Sequence, residues 1–122
     1  MTREIKFRAW DEEIKEMWQT RDINLVDNLV HKIVLMQFTG LHDKNGVEIY
    51  EGDIVKFTDK EEYRLQEGVY PLRDVSKTLD VVFYNGSFIL NGETFGHNYL
   101  YKFINRCEVI GNIYQNKYLL NI

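Results

Sequence analysis

Residues 38–55 read FTGLHDKNGVEIYEGDIV, and this is the most organised stretch of the chain. Asn45-Gly46 predicts a tight turn between two strands, because such a turn needs positive φ, which Asn and Gly tolerate. Gly52-Asp53 predicts a second corner before the next apolar run, and Gly40 interrupts the β-rich segment that precedes the turn. The stretch therefore specifies short antiparallel strands joined by turns.

The same turn chemistry recurs on either side of this stretch. Asn85-Gly86 predicts a second hairpin, which joins residues 80–84 to residues 87–90. Near the start, Ile5, Phe7 and Ala9 alternate with polar or aromatic neighbours, and this period of two predicts a first strand. A turn is expected at residues 11–13, with a returning strand beginning at residues 17–18.

Three other segments are harder to interpret. Residues 22–38 fit either a helix or strands at 23–26 and 29–38; we favour strands, and for residues 22–31 both alternatives stay open. Residues 58–79 are polar and hold the only proline, so they predict an excursion from the sheet. Apolar spacing predicts a short helix near 97–105, followed by a closing strand at 107–114.

These elements describe a mainly β chain with a minor helical part. Several short strands separated by turns indicate a small barrel or sandwich. With 122 residues, 44% hydrophobic and 28% charged, the chain has the length and composition of one globular domain, spanning residues 1–122.

Three blocks of sequence occur in a familiar order. They read IKFRAWD at residues 5–11, MQFTGL at 36–41 continuing to GDIV at 52–55, and CEVIGNIY at 107–114. In these blocks the chain resembles the YopX family, which is encoded by phages and prophages of Gram-positive bacteria among others. The resemblance implies a mainly β fold that includes an SH3-like, partly open barrel.

The resemblance implies no activity, because the family has no established biochemical role, and no functional residues carry over. The chain departs from the family after Tyr114, where an acidic residue followed by Asn-Pro-Glu-Leu-Leu is usual and QNKYLL stands instead. The residues that we can name are a turn signature: Gly40, Asn45, Gly46, Gly52, Asp53 and Gly111.

Charge and composition limit the kinds of function that the chain is suited to. The net charge is -4, with 9 basic and 12 acidic side chains in residues 1–60 and 6 and 7 in residues 61–122. Neither half offers bulk attraction to a phosphate backbone. A single cysteine excludes an intrachain disulfide, and no segment has the composition of a signal peptide or a membrane span. We expect a cytoplasmic protein of a bacterial host cell, with no membrane contact.

Candidate catalytic and metal-ligating residues are few. His31, His42 and His97 lack paired ligand spacing, so neither a metal nor another cofactor is predicted. His42-Asp43 fits a solvated turn, and Cys107 fits a buried structural thiol. Asp53 is expected to accept hydrogen bonds from nearby backbone N–H groups, with ligand contact as the alternative.

Three functions remain as hypotheses. We favour a non-enzymatic protein-interaction or self-assembly module, whose partner is another copy of the chain or a host or phage protein. The alternative is a nucleic-acid-binding SH3-like barrel that uses a basic face formed by Arg3, Lys6, Arg8 and Lys56. A small hydrolase-type enzyme is least favoured, and would need a cleft at His42, Asp43 or Asp53.

Overall fold

The computed structural model describes residues 4–20, 32–62, 72–92 and 99–121, which form eight strands and three 3-10 helices. The strands are β1 (Phe7–Asp11), β2 (Glu16–Thr20), β3 (Ile33–His42), β4 (Glu48–Tyr50), β5 (Asp53–Glu62), β6 (Leu72–Tyr84), β7 (Ser87–Asn91) and β8 (Cys107–Asn112). The 3-10 helices are η1 (Leu100–Lys102), η2 (Ile104–Arg106) and η3 (Lys117–Asn121).

The strands form two antiparallel four-stranded sheets. The first has the order β2-β1-β3-β4 and the second the order β7-β6-β5-β8. One of the two sheets is curled into a half-barrel. The predicted fold class, mainly β with a partly open barrel and a minor helical part, is confirmed.

Both predicted hairpins are present, but they turn differently. Asn85 and Gly86 take φ of 49° and 81° and join β6 to β7 in the expected two-residue turn. In the loop of the other hairpin, from residue 43 to residue 47, Gly46 takes positive φ, at 80°, while Asn45 does not, and the Gly46 N–H donates to the Asp43 carbonyl. The loop from β3 to β4 is therefore longer than the tight turn that its Asn-Gly pair predicts.

The hydrophobic core lies where strands β4 to β7 pack against the segment from η1 to the start of β8. Its buried members come from β4, β5, β6, β7, η1 and the start of β8. They are Ile49, Val55, Phe57, Leu79, Val81, Leu90, Leu100 and Cys107. Burial of apolar surface stabilises the fold by about 25 cal/mol per Å², so this cluster is a major contribution to stability.

The prediction of a polar excursion at residues 58–79 is wrong for the residues described there. Strands β5 and β6 pair continuously from Ile54 opposite Asp80 to Glu62 opposite Leu72. The polar run at 58–62 has no apolar alternation, and the backbone pairing with β6 holds it in a strand. Residues 63–71 lie outside the described residues.

The described part of the segment predicted as a helix near 97–105 begins at residue 99, and it forms the two 3-10 helices η1 and η2 instead of one regular helix. Phe103 separates η1 from η2 with φ of -122° and ψ of 6°. The apolar spacing identified residues that face the core, because Leu100 is fully buried and Phe103 packs against the core. Residues 22–31, for which helix and strand stayed open, lie outside the described residues.

Within the described ranges, no helix combines the length and apolar character that crossing a membrane requires.

Candidate functional site

Asp53 begins β5 directly after the corner at Gly52 and is almost completely buried. Its Oδ2 accepts a hydrogen bond from the Tyr50 N–H at 2.7 Å, and its Oδ1 lies 2.7 Å from Arg8 Nη1. Burial raises the pKa of Asp53, although the Arg8 charge and the Tyr50 amide both oppose that shift. The predicted hydrogen bond to a backbone N–H is confirmed, and Arg8 is the partner that sequence did not identify.

A second ion pair lies beside the first. Lys6 Nζ is 2.6 Å from Glu48 Oε1, and the Tyr50 hydroxyl donates to Glu48 Oε2 at 3.1 Å. The hydrogen bond from Lys6 lowers the pKa of Glu48. The cations also cover aromatic rings, Lys6 at 4.7 Å from the Phe38 centroid and Arg8 at 4.9 Å from that of Tyr50.

These contacts bear on the predicted basic face. Lys6 and Arg8 are each paired with a carboxylate, so their charge is locally compensated. Lys56 lies on the other sheet, where its register partner on β8 is Glu108. Arg3 lies outside the described residues. The described members therefore do not form a set of uncompensated cations.

A hollow of about 440 Å³ opens beside the two ion pairs. Its lining includes Arg8, Glu48 and Asp53, together with Trp18 of β2 and Asn112 of β8. Because its charged side chains already pair with Lys6 or with each other, the hollow is best explained as a junction between strands.

Asp43 is buried, which corrects the prediction of a solvated turn at His42-Asp43. Its Oδ1 accepts the N–H groups of Asn45 at 2.8 Å and Val47 at 2.9 Å, and its Oδ2 accepts that of Val109 at 2.8 Å. Burial raises the pKa of Asp43, but the three backbone donors outweigh it and leave the pKa below its usual value. His42 itself is exposed.

Two turn-signature glycines are in close contact with other side chains. Gly52 has φ of +85°, and a Cβ there would lie 2.9 Å from Met36 Sδ. A Cβ on Gly111 would lie 2.6 Å from Asn116 Oδ1, and this oxygen also accepts the Asn112 N–H at 3.1 Å. Asn116 stands in the C-terminal run where the chain departs from the family, and it closes the turn after β8.

The remaining candidate residues from the sequence are Cys107, His31 and His97. Cys107 is fully buried, as predicted, and desolvation raises the pKa of its thiol to about 11. His31 and His97 lie outside the described residues. Among the residues that the structure describes, no group of three or more His, Cys, Asp or Glu side chains is arranged to hold a metal ion.

A groove of about 470 Å³ lies where β3 faces the turn between β6 and β7. We call it the aromatic groove; it is lined by Gln37, Thr39, Leu41, Phe83, Gly86, Ser87, Phe88 and Tyr101. Phe83 is 53% exposed and Tyr101 is 61% exposed, and both line the same groove. The ring centroids of Phe83 and Phe88 lie 5.2 Å apart in an edge-to-face arrangement.

The sequence did not identify this groove. Its lining comes from three distant segments, and the alternation in residues 81–84 does not reveal which face of β6 is covered. The sequence signal is limited to the aromatic content, 14% of the chain. Only the folded arrangement shows which aromatic residues are exposed.

In the described residues the chain is a small antiparallel β protein with an exposed aromatic groove, and the buried carboxylates of Asp43 and Asp53 join its strands and loops. The family model described as YopX protein matches residues 22–121, so the chain belongs to the YopX family.

Among solved structures, the chain is similar to protein EF1440 from Enterococcus faecalis. The two share 25% sequence identity with a TM-score of 0.67, and the match covers 98% of this chain and 99% of that chain. No curated protein matches the sequence.

Proposed function

We propose that this protein is a non-enzymatic protein-interaction module that binds a protein partner through the aromatic groove. The supporting observation is the exposure of Phe83 and Tyr101 at the rim of a groove large enough for several side chains. Aromatic residues, tyrosine especially, contribute much of the binding energy at protein interfaces. The partner is a host or phage protein, or a second copy of the chain, and the setting is the cytoplasm of a bacterium that carries the phage or prophage.

The carboxylates that a hydrolase would need favour this proposal over an enzyme. Asp43 accepts three backbone N–H groups, and Asp53 accepts one while it pairs with Arg8. These interactions explain both residues as supports of the strand connections.

One observation favours nucleic-acid binding as the second candidate. Tyr99 and Tyr101 stack with centroids 5.9 Å apart, and Lys102 Nζ lies 5.6 Å and 6.0 Å from their centroids. Single-stranded nucleic acids bind where bases stack on aromatic side chains that lie beside cationic groups. The compensated charges of Lys6 and Arg8 and the net charge of -4 weigh against it.

The test is affinity capture from infected host cells, with mass spectrometry for proteins and sequencing for nucleic acid. Three baits are compared: the wild-type chain, the groove variant Tyr101→Ser and the control variant Tyr118→Ser. Tyr118 is a suitable control because it is 65% exposed on η3 and lies outside the groove lining. A hot-spot tyrosine contributes about 2 kcal/mol, so Tyr101→Ser should retain roughly 30-fold less partner while the control is unchanged.

Light scattering after size exclusion tests whether the partner is a second copy. In that case the wild type elutes as an oligomer and Tyr101→Ser as a monomer. A monomeric wild type together with capture that is equal for all three baits overturns the proposal. Recovery of nucleic acid that salt removes supports the second candidate instead.

A further inference from the structure

We infer that Asn85 is a site of spontaneous deamidation, in which the Gly86 nitrogen displaces the side-chain amide, and that the fold protects the other two Asn-Gly pairs. Those pairs are Asn45-Gly46 and Asn91-Gly92. Deamidation is a covalent change of the chain itself, so it goes beyond the proposed function and does not depend on it. The three sites share the same two residue types and differ in backbone conformation and hydrogen bonding.

The reaction needs only the two adjacent residues and water. The Gly86 amide nitrogen gives its proton to solvent and attacks Cγ of Asn85, which closes a five-membered succinimide ring. The side-chain nitrogen takes a proton from water and leaves as ammonia. A water molecule then opens the ring at either carbonyl and gives aspartate or isoaspartate, with no oxidation or reduction. The net change replaces a neutral amide by a carboxylate.

The Asn85-Gly86 turn lies one peptide rotation away from the geometry of attack. Ring closure requires the nitrogen and Cβ to be nearly eclipsed about the asparagine Cα–C bond, which is the ψ of about -120° found at the first central residue of a type II′ turn. The φ values of 49° at Asn85 and 81° at Gly86 identify a type I′ turn. Rotation of the peptide plane between them converts type I′ into type II′ while Tyr84 stays opposite Ser87. The hairpin therefore need not open.

The peptide plane between Asn85 and Gly86 is free to rotate. Among the described residues, the backbone hydrogen bonds that join turns and loops include none from the Gly86 N–H. Both residues are exposed, and a Cβ added to Gly86 would meet no atom within 4 Å. Glycine also tolerates the change of φ that the rotation brings. Water therefore reaches the nitrogen that must lose its proton.

The Asn45-Gly46 loop holds the corresponding peptide plane with hydrogen bonds. The Gly46 N–H, which would have to become the nucleophile, donates to the Asp43 carbonyl at 3.0 Å. The Asp43 carboxylate accepts the N–H groups of Asn45 at 2.8 Å and Val47 at 2.9 Å. Rotation of the plane breaks the first bond and disturbs the other two, so attack at Asn45 requires the loop to open.

Asn91 is protected by its partner across the pairing of β6 with β7. It lies opposite Asp80, and its Nδ2 donates to Asp80 Oδ1 at 3.2 Å. Attack on the Asn91 Cγ places negative charge on the amide oxygen, and the neighbouring carboxylate opposes that charge. The hydrogen bond also restricts the side-chain rotation that attack requires. Asn91 is therefore expected to react slowly although glycine follows it.

Deamidation of Asn85 changes the surface beside the aromatic groove. Gly86 and Ser87 line this groove, and all eight lining residues are uncharged. The new carboxylate at residue 85 therefore adds negative charge next to an uncharged lining. Isoaspartate also lengthens the backbone of the turn by a methylene group, which a two-residue connection between Tyr84 and Ser87 does not accommodate without rearrangement.

Peptide mapping by mass spectrometry on the folded full chain tests the inference. The chain is incubated at mildly alkaline pH, sampled over time and digested at acidic pH, where the backbone nitrogen keeps its proton and the reaction is slow. Each of the three asparagines is quantified as amide, aspartate and isoaspartate. A parallel sample in a denaturing concentration of guanidinium gives the rate at each site without the fold.

Three variants, each checked by circular dichroism, provide an independent readout by ion-exchange chromatography. They are Asn85→Gln and the matched controls Asn45→Gln and Asn91→Gln. Glutamine is chosen because its longer side chain forms the corresponding ring much more slowly. The wild type and both control variants should accumulate an acidic species that Asn85→Gln does not form.

We expect Asn85 in the folded chain to convert roughly 10-fold or more faster than Asn45 and Asn91, because hydrogen bonds must first break at the latter two sites. In guanidinium the three rates should converge, since the residue that follows is glycine in each case. The excess of Asn85 conversion would then belong to the fold and not to the local sequence.

Conversion of Asn85 in the folded chain that is no faster than that of Asn45 or Asn91 overturns the inference. So does an Asn85 that keeps its amide in the folded chain while it converts in guanidinium, because the turn would then be protective. The mass map of the wild type decides the outcome even where Asn85→Gln perturbs the turn.

Discussion

Replacing Asp43 by alanine removes the carboxylate that accepts three backbone hydrogen bonds. The N–H groups of Asn45 and Val47 lie in an exposed loop, where water replaces the carboxylate in part, so each loss costs about 1 kcal/mol. The Val109 N–H belongs to a residue that packs against the core, so its loss costs about 1–3 kcal/mol. We expect Asp43→Ala to lower the free energy of unfolding by about 4 kcal/mol.

That loss is a large part of the total, since a domain is stable by only about 5–15 kcal/mol. In urea unfolding followed by tryptophan fluorescence, a slope of about 1.5 kcal/mol/M places the midpoint of the variant about 2–3 M lower. The matched control is Lys44→Ala in the same loop, which removes an exposed ion pair with Glu108 at 3.8 Å. It should change stability by no more than about 0.5 kcal/mol.

The pH dependence supplies a second readout. The pKa of Asp43 is lower in the folded chain than its unfolded value of about 3.9, because three backbone donors outweigh the burial that raises it. Its stabilisation is therefore fully present above that value and is lost as the pH falls through the folded pKa. The difference between wild type and Asp43→Ala should narrow below about pH 4. A loss no larger than that of Lys44→Ala, or a gap that does not change with pH, would refute the role assigned to this carboxylate.

Two further predictions concern the turn signature and the buried thiol. Gly52→Ala should lower the free energy of unfolding, measured in urea, more than Gly46→Ala does. Both glycines have positive φ, where an alanine costs about 1–2 kcal/mol. At Gly52 the added Cβ would also lie 2.9 Å from Met36 Sδ, whereas at Gly46 it would meet no atom within 4 Å. Equal losses would show that the close approach is relieved without cost. In the folded chain Cys107 should resist alkylation by iodoacetamide at about pH 8, because its thiol is buried and has a pKa of about 11. In about 6 M guanidinium, which unfolds the chain, it should react fully. Rapid labelling of the native chain would contradict that burial.

Local chemistry made part of this structure predictable. Asn85-Gly86 encodes a hairpin within two residues, and Asp53 follows Gly52 at a strand start, so neither depends on distant contacts. The apolar spacing near residue 100 likewise marks a segment that packs one face on the core. In each case the determining interactions lie within a few residues of one another along the chain.

Interactions between distant segments were not predictable from one sequence. The Asp43 carboxylate reaches Val109, which is 66 residues away, and nothing at His42-Asp43 distinguishes this buried aspartate from a solvated one. Arg8 pairs with Asp53 because β1 and β5 come together in the fold. Residues 58–62 lack any apolar pattern, and their strand is stabilised through pairing with β6.

The positions that carry the family resemblance and those that line the aromatic groove are largely different. Arg8, Asp43 and Asp53 lie in or between the resembling blocks, and their contacts are internal hydrogen bonds and ion pairs that hold strands and loops together. On the groove, only β3 comes from such a block, while the residues at 83–88 and Tyr101 do not. Since EF1440 keeps the fold at 25% identity, the scaffold does not require most of the sequence to be shared. Under the proposed function, binding would depend mainly on groove residues that lie outside the resembling blocks, whereas Arg8, Asp43 and Asp53 hold the strands and loops together.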